Sequence, residues 1–257
     1  MMTLDILYED DSIIAVNKPP GLLIVPDRWD RHLPTIQDML REYLRKKMPG
    51  EHPNIRVVHR LDKDTSGVVL LARSMKAQVY LSKQFEKEEV SKTYYAIVKG
   101  ILEQDDGVIS FPLMESARNP GTMVVNRKGK KSITRFQVLE RFRDYTFVEA
   151  NPLTGRTHQV RVHFMAFGHP LGMDPLYGDP KPIYLSQFKK DYKGKEGQEK
   201  PLISRLPLHA FRLAFREPTE GKILVLEAPL PKDFARMLKL LRKYQPRTLG
   251  DREIRPR

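Results

Sequence analysis

The sequence contains no cysteine, which excludes disulfides and thiolate metal sites. It has no apolar run near the roughly 20 residues that a membrane-spanning helix needs. Its N-terminus, Met-Met-Thr-Leu-Asp-Ile-Leu-Tyr-Glu-Asp-Asp, is acidic and lacks the features of a signal or transit peptide. No internal repeat is present. Acidic residues are few against basic ones, 32 to 45, giving a formal charge of +13 and a pI near 9.8. That imbalance favours a polyanionic partner, nucleic acid or an anionic membrane surface. These features predict a cytoplasmic protein that handles nucleic acid. At 257 residues the chain can form one large domain or two small ones, with a substantial core.

Residues 3–8 and 12–18 are apolar runs around Glu9-Asp10-Asp11 and predict a hairpin. Pro19-Pro20-Gly21 ends the second strand, and a third run follows, Leu22 to Val25. Ile36, Met39, Leu40, Tyr43 and Leu44 form one helical stripe, predicting a helix over 35–48 capped by Thr35 and stopped by Pro49-Gly50. Its cations, Arg41, Arg45, Lys46 and Lys47, are read as a solvated face. A second helix is expected over 75–88, capped by Ser74, with Ala77, Tyr80, Leu81 and Phe85 inward. Ser91 to Gly100 reads as a strand. Tyr94 and Tyr95 then point to opposite faces, one to the core and one to a cleft. Residues 106–150 predict a β-meander containing a basic turn, Asn126-Arg127-Lys128-Gly129-Lys130-Lys131.

A helix is expected from His158 to Phe167, capped by Thr157, with Val160, Phe164 and Phe167 on its apolar stripe. Arg161 lies beside that stripe, where arginine is usually at the surface. His158 and His163 are five apart and face different sides of a helix, so no metal site is expected. Phe188 to Lys200 reads as a mobile surface excursion. Strand-like runs follow at 206–210, 213–215 and 223–228. A terminal helix over 231–244 turns Phe234, Leu238 and Leu241 inward. The tail from Gln245 is basic and expected to fray.

One loop stands out: His59-Arg60-Leu61-Asp62-Lys63-Asp64-Thr65-Ser66-Gly67, between apolar runs at 55–58 and 68–72 that read as buried strands. It holds two carboxylates, two cations, two hydroxyls and a glycine that can adopt angles other residues avoid. Connecting loops are where scaffolds carry chemistry. A charged turn whose side chains bond its own backbone is the alternative reading from composition alone.

The loop resembles the catalytic motif of the RluA-type pseudouridine synthases, HRLD-x-x-[ST]-[ST]-G, with the family's aspartate at Asp62. Asn17-Lys18-Pro19-Pro20-Gly21-Leu22 is similar to that family's first motif, and Lys18 is read as at most a supporting residue. Ser91 to Gly100 resembles the strand whose tyrosine packs on the target base, here Tyr94, a ring to which the family also allows a role as a base. Thr154-Gly155-Arg156-Thr157-His158-Gln159-Val160-Arg161-Val162-His163 resembles the signature whose arginine, here Arg161, pairs with the catalytic aspartate. In its continuation, GHP-x-x-x-D-x-x-YG, the family commonly has glycine before the aspartate, and this chain has Met173-Asp174. Leu206 to Phe215 resembles the closing signature, with Leu208 as the apolar wall under the uracil. The resemblance spans roughly residues 3–240 with its motifs in order.

The resemblance implies an α+β pseudouridine synthase fold: an extended, mostly antiparallel mixed sheet flanked by helices and loops around a central basic cleft. It implies an isomerase that converts uridine to pseudouridine in rRNA or tRNA, without cofactor or metal. A carboxylate ionised at pH 7 can act as nucleophile or base. Arg161 keeps Asp62 ionised and fixes its rotamer, and the target nucleotide is flipped out of its stack. Arg60, Lys63 and Arg156 become phosphate-binding or orienting groups, and the basic turn a phosphate clamp. The expected organisation is one catalytic domain over 1–245, acting as a monomer, with a basic tail over 246–257. No N-terminal S4 RNA-binding domain is expected, since the pattern begins at residue 3. Two other classes compete. A glycoside or nucleoside hydrolase would use Asp62 and Asp64 as paired carboxylates, but residues two apart on a loop rarely hold that geometry. A non-catalytic RNA-binding protein would explain the charge but not the joint presence of Asp62, Tyr94 and Arg161.

Overall fold

In a computed structural model of the protein, the residues described are 4–26, 33–50, 53–189, 191–194 and 198–247. The chain divides into two compact units, Met1–Tyr94 with His209–Pro229, and Tyr95–Leu208 with Leu230–Arg257. Each is woven from two separate stretches of chain.

The first unit begins with the expected antiparallel hairpin, β1 (Asp5–Glu9) and β2 (Ile13–Lys18). Its turn is set by Asp10, whose side chain accepts the N–H groups of Ser12 and Ile13, each at 2.7 Å. The run at 22–25 forms no strand; Leu23 makes an isolated bridge to Thr35. Helix α1 (Ile36–Lys47) starts where Thr35 accepts the Asp38 N–H. The run at 55–58 yields only a two-residue strand, β3 (Arg56–Val57), whereas β4 (Ser66–Ala72) is buried along its whole length. Helix α2 (Met75–Glu86) is capped by Ser74, as expected, and ends two residues early. Tyr80 is 36% exposed, contrary to expectation. Gln84 is buried instead, because its amide bonds both the N–H and the carbonyl of Arg216 at 2.8 Å.

In the second unit lie the later part of β5 (Ser91–Lys99), then β6 (Asp106–Ile109), β7 (Leu113–Glu115), β8 (Met123–Val125), β9 (Thr134–Arg141), β10 (Tyr145–Pro152) and α3 (Gln159–Ala166). The meander expectation is corrected here. β6 pairs with β9 and β9 with β10, while β7 and β8 form a separate two-stranded sheet. The two runs at 206–215 merge into one strand, β11 (Leu208–Arg216), which pairs antiparallel with β12 (Ile223–Glu227) and parallel with β4. Helix α4 (Lys232–Tyr244) closes the described chain. The tail begins docked, not frayed: Gln245 is buried, and its carbonyl accepts the Arg143 N–H at 3.1 Å. Residues 248–257 lie outside the described residues, as do Lys190 and 195–197 of the expected excursion.

Alternation explains why β4 is apolar from Val68 to Ala72. Val68, Leu70 and Ala72 join Ile13, Ala15, Ala77 and Leu81 in a cluster beneath α2. Val69 and Leu71 join Ile14, Val16, Ile36, Leu40 and Leu44 beneath α1. A strand covered on both faces reads as a continuous apolar run. In the second unit Phe147 meets Phe234 of α4, with centroids 6.1 Å apart. On the opposite face of β9 and β10, Phe136 meets Phe164 of α3 at 5.9 Å.

Candidate active site

The loop around Asp62 is held by buried polar groups. Residues Asp62 to Thr65 form a turn closed by the Thr65 N–H on the Asp62 carbonyl at 3.1 Å. Lys18, at the end of β2, is fully buried. Its ammonium donates to the carbonyls of Lys63 and Leu22, each at 2.7 Å, and of Pro19 at 3.0 Å. The Gly21 N–H donates to the same Lys63 carbonyl at 2.9 Å. A buried cation must be surrounded by acceptors. Here one of those acceptors is the backbone of the residue after Asp62. The supporting role expected of Lys18 thus takes a definite form.

The end of the loop is fixed by β11. His209 and Ser66 are register partners, as are Ala210 and Gly67. His209 Nε2–H donates to the Ala228 carbonyl at 3.0 Å, leaving Nδ1 to accept the Ser66 hydroxyl, also at 3.0 Å. Gly67 has φ +115°, and a Cβ there would lie 2.1 Å from the Ala210 carbonyl oxygen. The glycine is required both by its backbone angle and by the approach of β11. Upstream, His59 stacks on Phe85 with centroids 4.7 Å apart, and its Nε2 accepts the Leu70 N–H at 2.9 Å. Burial, with the Lys92 charge secondary, lowers its pKa to about 3. His59 is a neutral acceptor that braces the loop, and not a proton carrier near neutral pH.

Tyr94 and Tyr95 divide as the strand geometry requires. Tyr95 packs edge-on against Phe147 at 5.3 Å. Tyr94 is half-buried. Its pKa is raised far above the usual phenol value, first by burial and then by the Asp62 carboxylate. The phenol therefore holds its proton at neutral pH.

In the second unit Arg161 is buried, not at the surface. Helix α3 starts at Gln159, one residue later than expected. His158, and not Thr157, stands at its N-terminus, with φ +53° and no side-chain cap. Arg161, Val162 and His163 are buried along with Val160 and Phe164, so no polar face exists to carry the arginine outward. Its Nε and Nη2 donate to Oδ2 and Oδ1 of Asp174, both at 2.8 Å. Asp174 Oδ1 also accepts the N–H groups of Leu176 at 3.0 Å and Tyr177 at 3.1 Å. The Tyr177 ring lies 5.1 Å below the guanidinium. Met173, where the family commonly has glycine, adopts φ +56°, the left-handed region that glycine favours.

Gln159 was missed by pattern reasoning. Its Oε1 accepts from the Thr154 hydroxyl at 2.6 Å and the Arg156 N–H at 3.0 Å, and its Nε2 donates to Ile133 and Thr134. His163 is bonded to Thr134 and the Phe111 carbonyl, and burial lowers its pKa. His158 Nδ1 lies 2.8 Å from Tyr177 Oη. No cluster of metal-ligating side chains occurs among the described residues. No helix among them is long and apolar enough to cross a membrane.

Of the remaining candidates, Arg60 and Lys63 are exposed in the first unit. Arg156 is half-buried in the second, its Nε on the Lys131 carbonyl at 3.1 Å. Leu208 is buried. The basic turn after β8 is exposed at Arg127, Lys128, Lys130 and Lys131, and is closed by the Gly129 N–H on the Asn126 carbonyl at 2.8 Å.

Comparison with known proteins gives one consistent result. Residues 12–166 match the RNA pseudouridylate synthase family model. A protein of Bacillus subtilis named as an RNA pseudouridine synthase is 39% identical over 245 residues, covering 94% of this chain and 74% of that protein. The ribosomal large subunit pseudouridine synthase D of Nitrosomonas europaea is 36% identical over 242 residues, 93% of this chain; the chain spans 65% of that protein's length. The solved structure of human RNA pseudouridylate synthase domain containing 4 superposes with a TM-score of 0.71 at 29% identity, over 93% of each chain. With its ordered motifs, its mixed and mostly antiparallel α+β architecture and these matches over nearly its whole length, the chain belongs to the RluA-type RNA pseudouridine synthase family.

Proposed function

We propose that this chain isomerises uridine to pseudouridine in ribosomal RNA, with Asp62 as the carboxylate that carries the reaction. The observation behind this reading is the Asp62 turn itself. Its backbone is held by a fully buried ammonium, and its carboxylate acts electrostatically on the Tyr94 phenol. Ribosomal RNA is favoured over tRNA because the Nitrosomonas relative is named for the large ribosomal subunit.

In the reaction the N1–C1′ bond breaks, the uracil turns, C5 bonds to C1′, and C5 then loses its proton while N1 gains one. The change is redox-neutral. The base must leave its stack to be reached. Tyr94 offers it a face and a protonated hydroxyl, and Leu208 an apolar wall. Arg161, its plane set by Asp174, is assigned the part of the family signature's catalytic cation. Arg60, Lys63, Arg156 and the basic turn are assigned to phosphates. The family motifs fall in both units, which is the support for assigning residues 1–245 as one catalytic domain. A monomer working in the cytoplasm fits the lack of cysteine and the basic charge.

Asp62→Asn tests the assignment. It is nearly isosteric, and an amide is neither nucleophile nor base at pH 7. Single-turnover assays on ribosomal RNA should show isomerisation at background with RNA binding retained, while Asp64→Asn keeps most activity. A wild-type rate in the Asp62 variant refutes the assignment. An equally inactive Asp64 variant would favour paired carboxylates, and RNA binding without conversion by the wild type would favour a binding protein.

A further inference from the structure

We propose that Tyr177 is a positioning residue that couples the β7–β8 hairpin to Arg161, so that engagement of RNA by the hairpin sets the orientation of the guanidinium. The inference rests on the reading of Arg161 as part of the catalytic machinery. Tyr177 ties together distinct parts of the second unit. Its Oη accepts the N–H of Met123, the first residue of β8, at 2.7 Å. The same oxygen lies 2.8 Å from Nδ1 of His158, the residue that immediately precedes α3. Its ring lies under the Arg161 guanidinium at 5.1 Å. Its own N–H donates to Asp174 Oδ1, the carboxylate oxygen that also receives Arg161 Nη2.

A guanidinium is planar, and two constraints fix its plane: a partner on its edge and a surface on its face. Asp174 supplies the edge and Tyr177 the face. A phenol ring is rigid, so movement at its oxygen tilts the face under the arginine. That oxygen is tied to the hairpin backbone. A two-stranded hairpin is marginally stable by itself, and this one packs against α3. Its far side leads into the exposed cations Lys128, Lys130 and Lys131. Phosphates that neutralise this turn pull on β8, and β8 is hydrogen-bonded to the ring that seats Arg161. Chemistry is thereby favoured once RNA lies on the hairpin.

The test compares wild type, Tyr177→Phe and Tyr177→Leu, each with and without Lys128, Lys130 and Lys131 changed together to Gln. RNA affinity and the single-turnover rate at saturating ribosomal RNA are measured separately. Tyr177→Phe keeps the ring and loses the hydroxyl. It should melt like wild type and bind RNA normally, with a rate lower by about tenfold to a hundredfold. Tyr177→Leu should be slower still. The turn variant should lower the saturating rate in wild type and not in Tyr177→Phe. The Arg161 Nε–H resonance gives a readout independent of turnover: RNA should shift it in wild type and leave it unmoved in Tyr177→Phe. A wild-type rate in the Phe variant, additive effects of turn and tyrosine, or equal RNA-induced shifts in both proteins would each overturn the coupling. Wild-type protein that shifts the resonance without converting uridine would sink the proposed function and leave the coupling standing.

Discussion

Lys18→Met asks whether the buried ammonium holds the Asp62 turn or merely fills space. Methionine keeps an unbranched stem of similar size and removes the donors to Leu22, Pro19 and Lys63. The bond to Leu22 is buried, and stripping that carbonyl of its partner costs about 1–3 kcal/mol. The other two carbonyls are part-buried, and Lys63 retains the Gly21 N–H, so together they add about 1 kcal/mol. A thioether avoids the desolvation of an ammonium, which offsets part of this loss, on the order of 1–2 kcal/mol. The net destabilisation is about 2 kcal/mol. For a chain of this length that lowers Tm by about 4–8 °C, leaving a folded protein at assay temperature. The effect on catalysis should be larger. The Lys63 carbonyl belongs to the turn that presents Asp62, the carboxylate proposed to react, and a displacement of about 1 Å at a reacting group costs up to about 100-fold. Circular dichroism melting and single-turnover isomerisation well below Tm read the two effects separately. Lys18→Arg should not restore the rate, because a planar fork cannot direct donors from one atom to three carbonyls. A lowered Tm with an unchanged rate would make Lys18 a stabiliser of the fold alone. Unchanged Tm and rate would refute the bonding scheme itself.

Other outcomes follow from the same geometry. Gly67→Ala combines a positive φ with a Cβ 2.1 Å from a backbone oxygen, so β11 must separate from β4; we expect at least about 3 kcal/mol of destabilisation in urea titration, and a loss below about 1 kcal/mol would contradict the strand approach. His59 has a folded pKa of about 3, below its unfolded value of about 6.5, so the unfolded chain binds the extra proton and stability falls as pH drops from about 6.5 towards 3. NMR should find this imidazole neutral at about pH 5, and titration near 6.5 would remove it as the acceptor of the Leu70 N–H. Changing Lys128, Lys130 and Lys131 to Gln should flatten the slope of log K against log salt, by nearly one unit for each phosphate that the turn neutralises. An unaltered slope would remove the turn from the RNA site.

The sequence alone determined the helices, to within a residue or two, most of the strands, and the family. Thr35 and Ser74 cap their helices as expected, because a cap is a bond between residues three apart. The stripe of α1 and the apolar run of β4 were legible, because burial imposes a period on the chain. Asp62, Tyr94 and Arg161 were marked by motif and order, which carry chemistry without geometry. Partners distant in sequence were not legible. The ammonium of Lys18 reaches a carbonyl 45 positions away, and Ser66 bonds a histidine 143 positions away. Arg161 is buried because a carboxylate from beyond α3 neutralises it, and nothing in the helix itself shows this. Met173 keeps a left-handed backbone because its side chain is buried in the core of the second unit. Burying a methionine contributes about 1.5–3 kcal/mol, against roughly 1–2 kcal/mol for the angle. Period and capping are short-range bonds of the chain to itself, whereas each of these features depends on segments that only folding brings together.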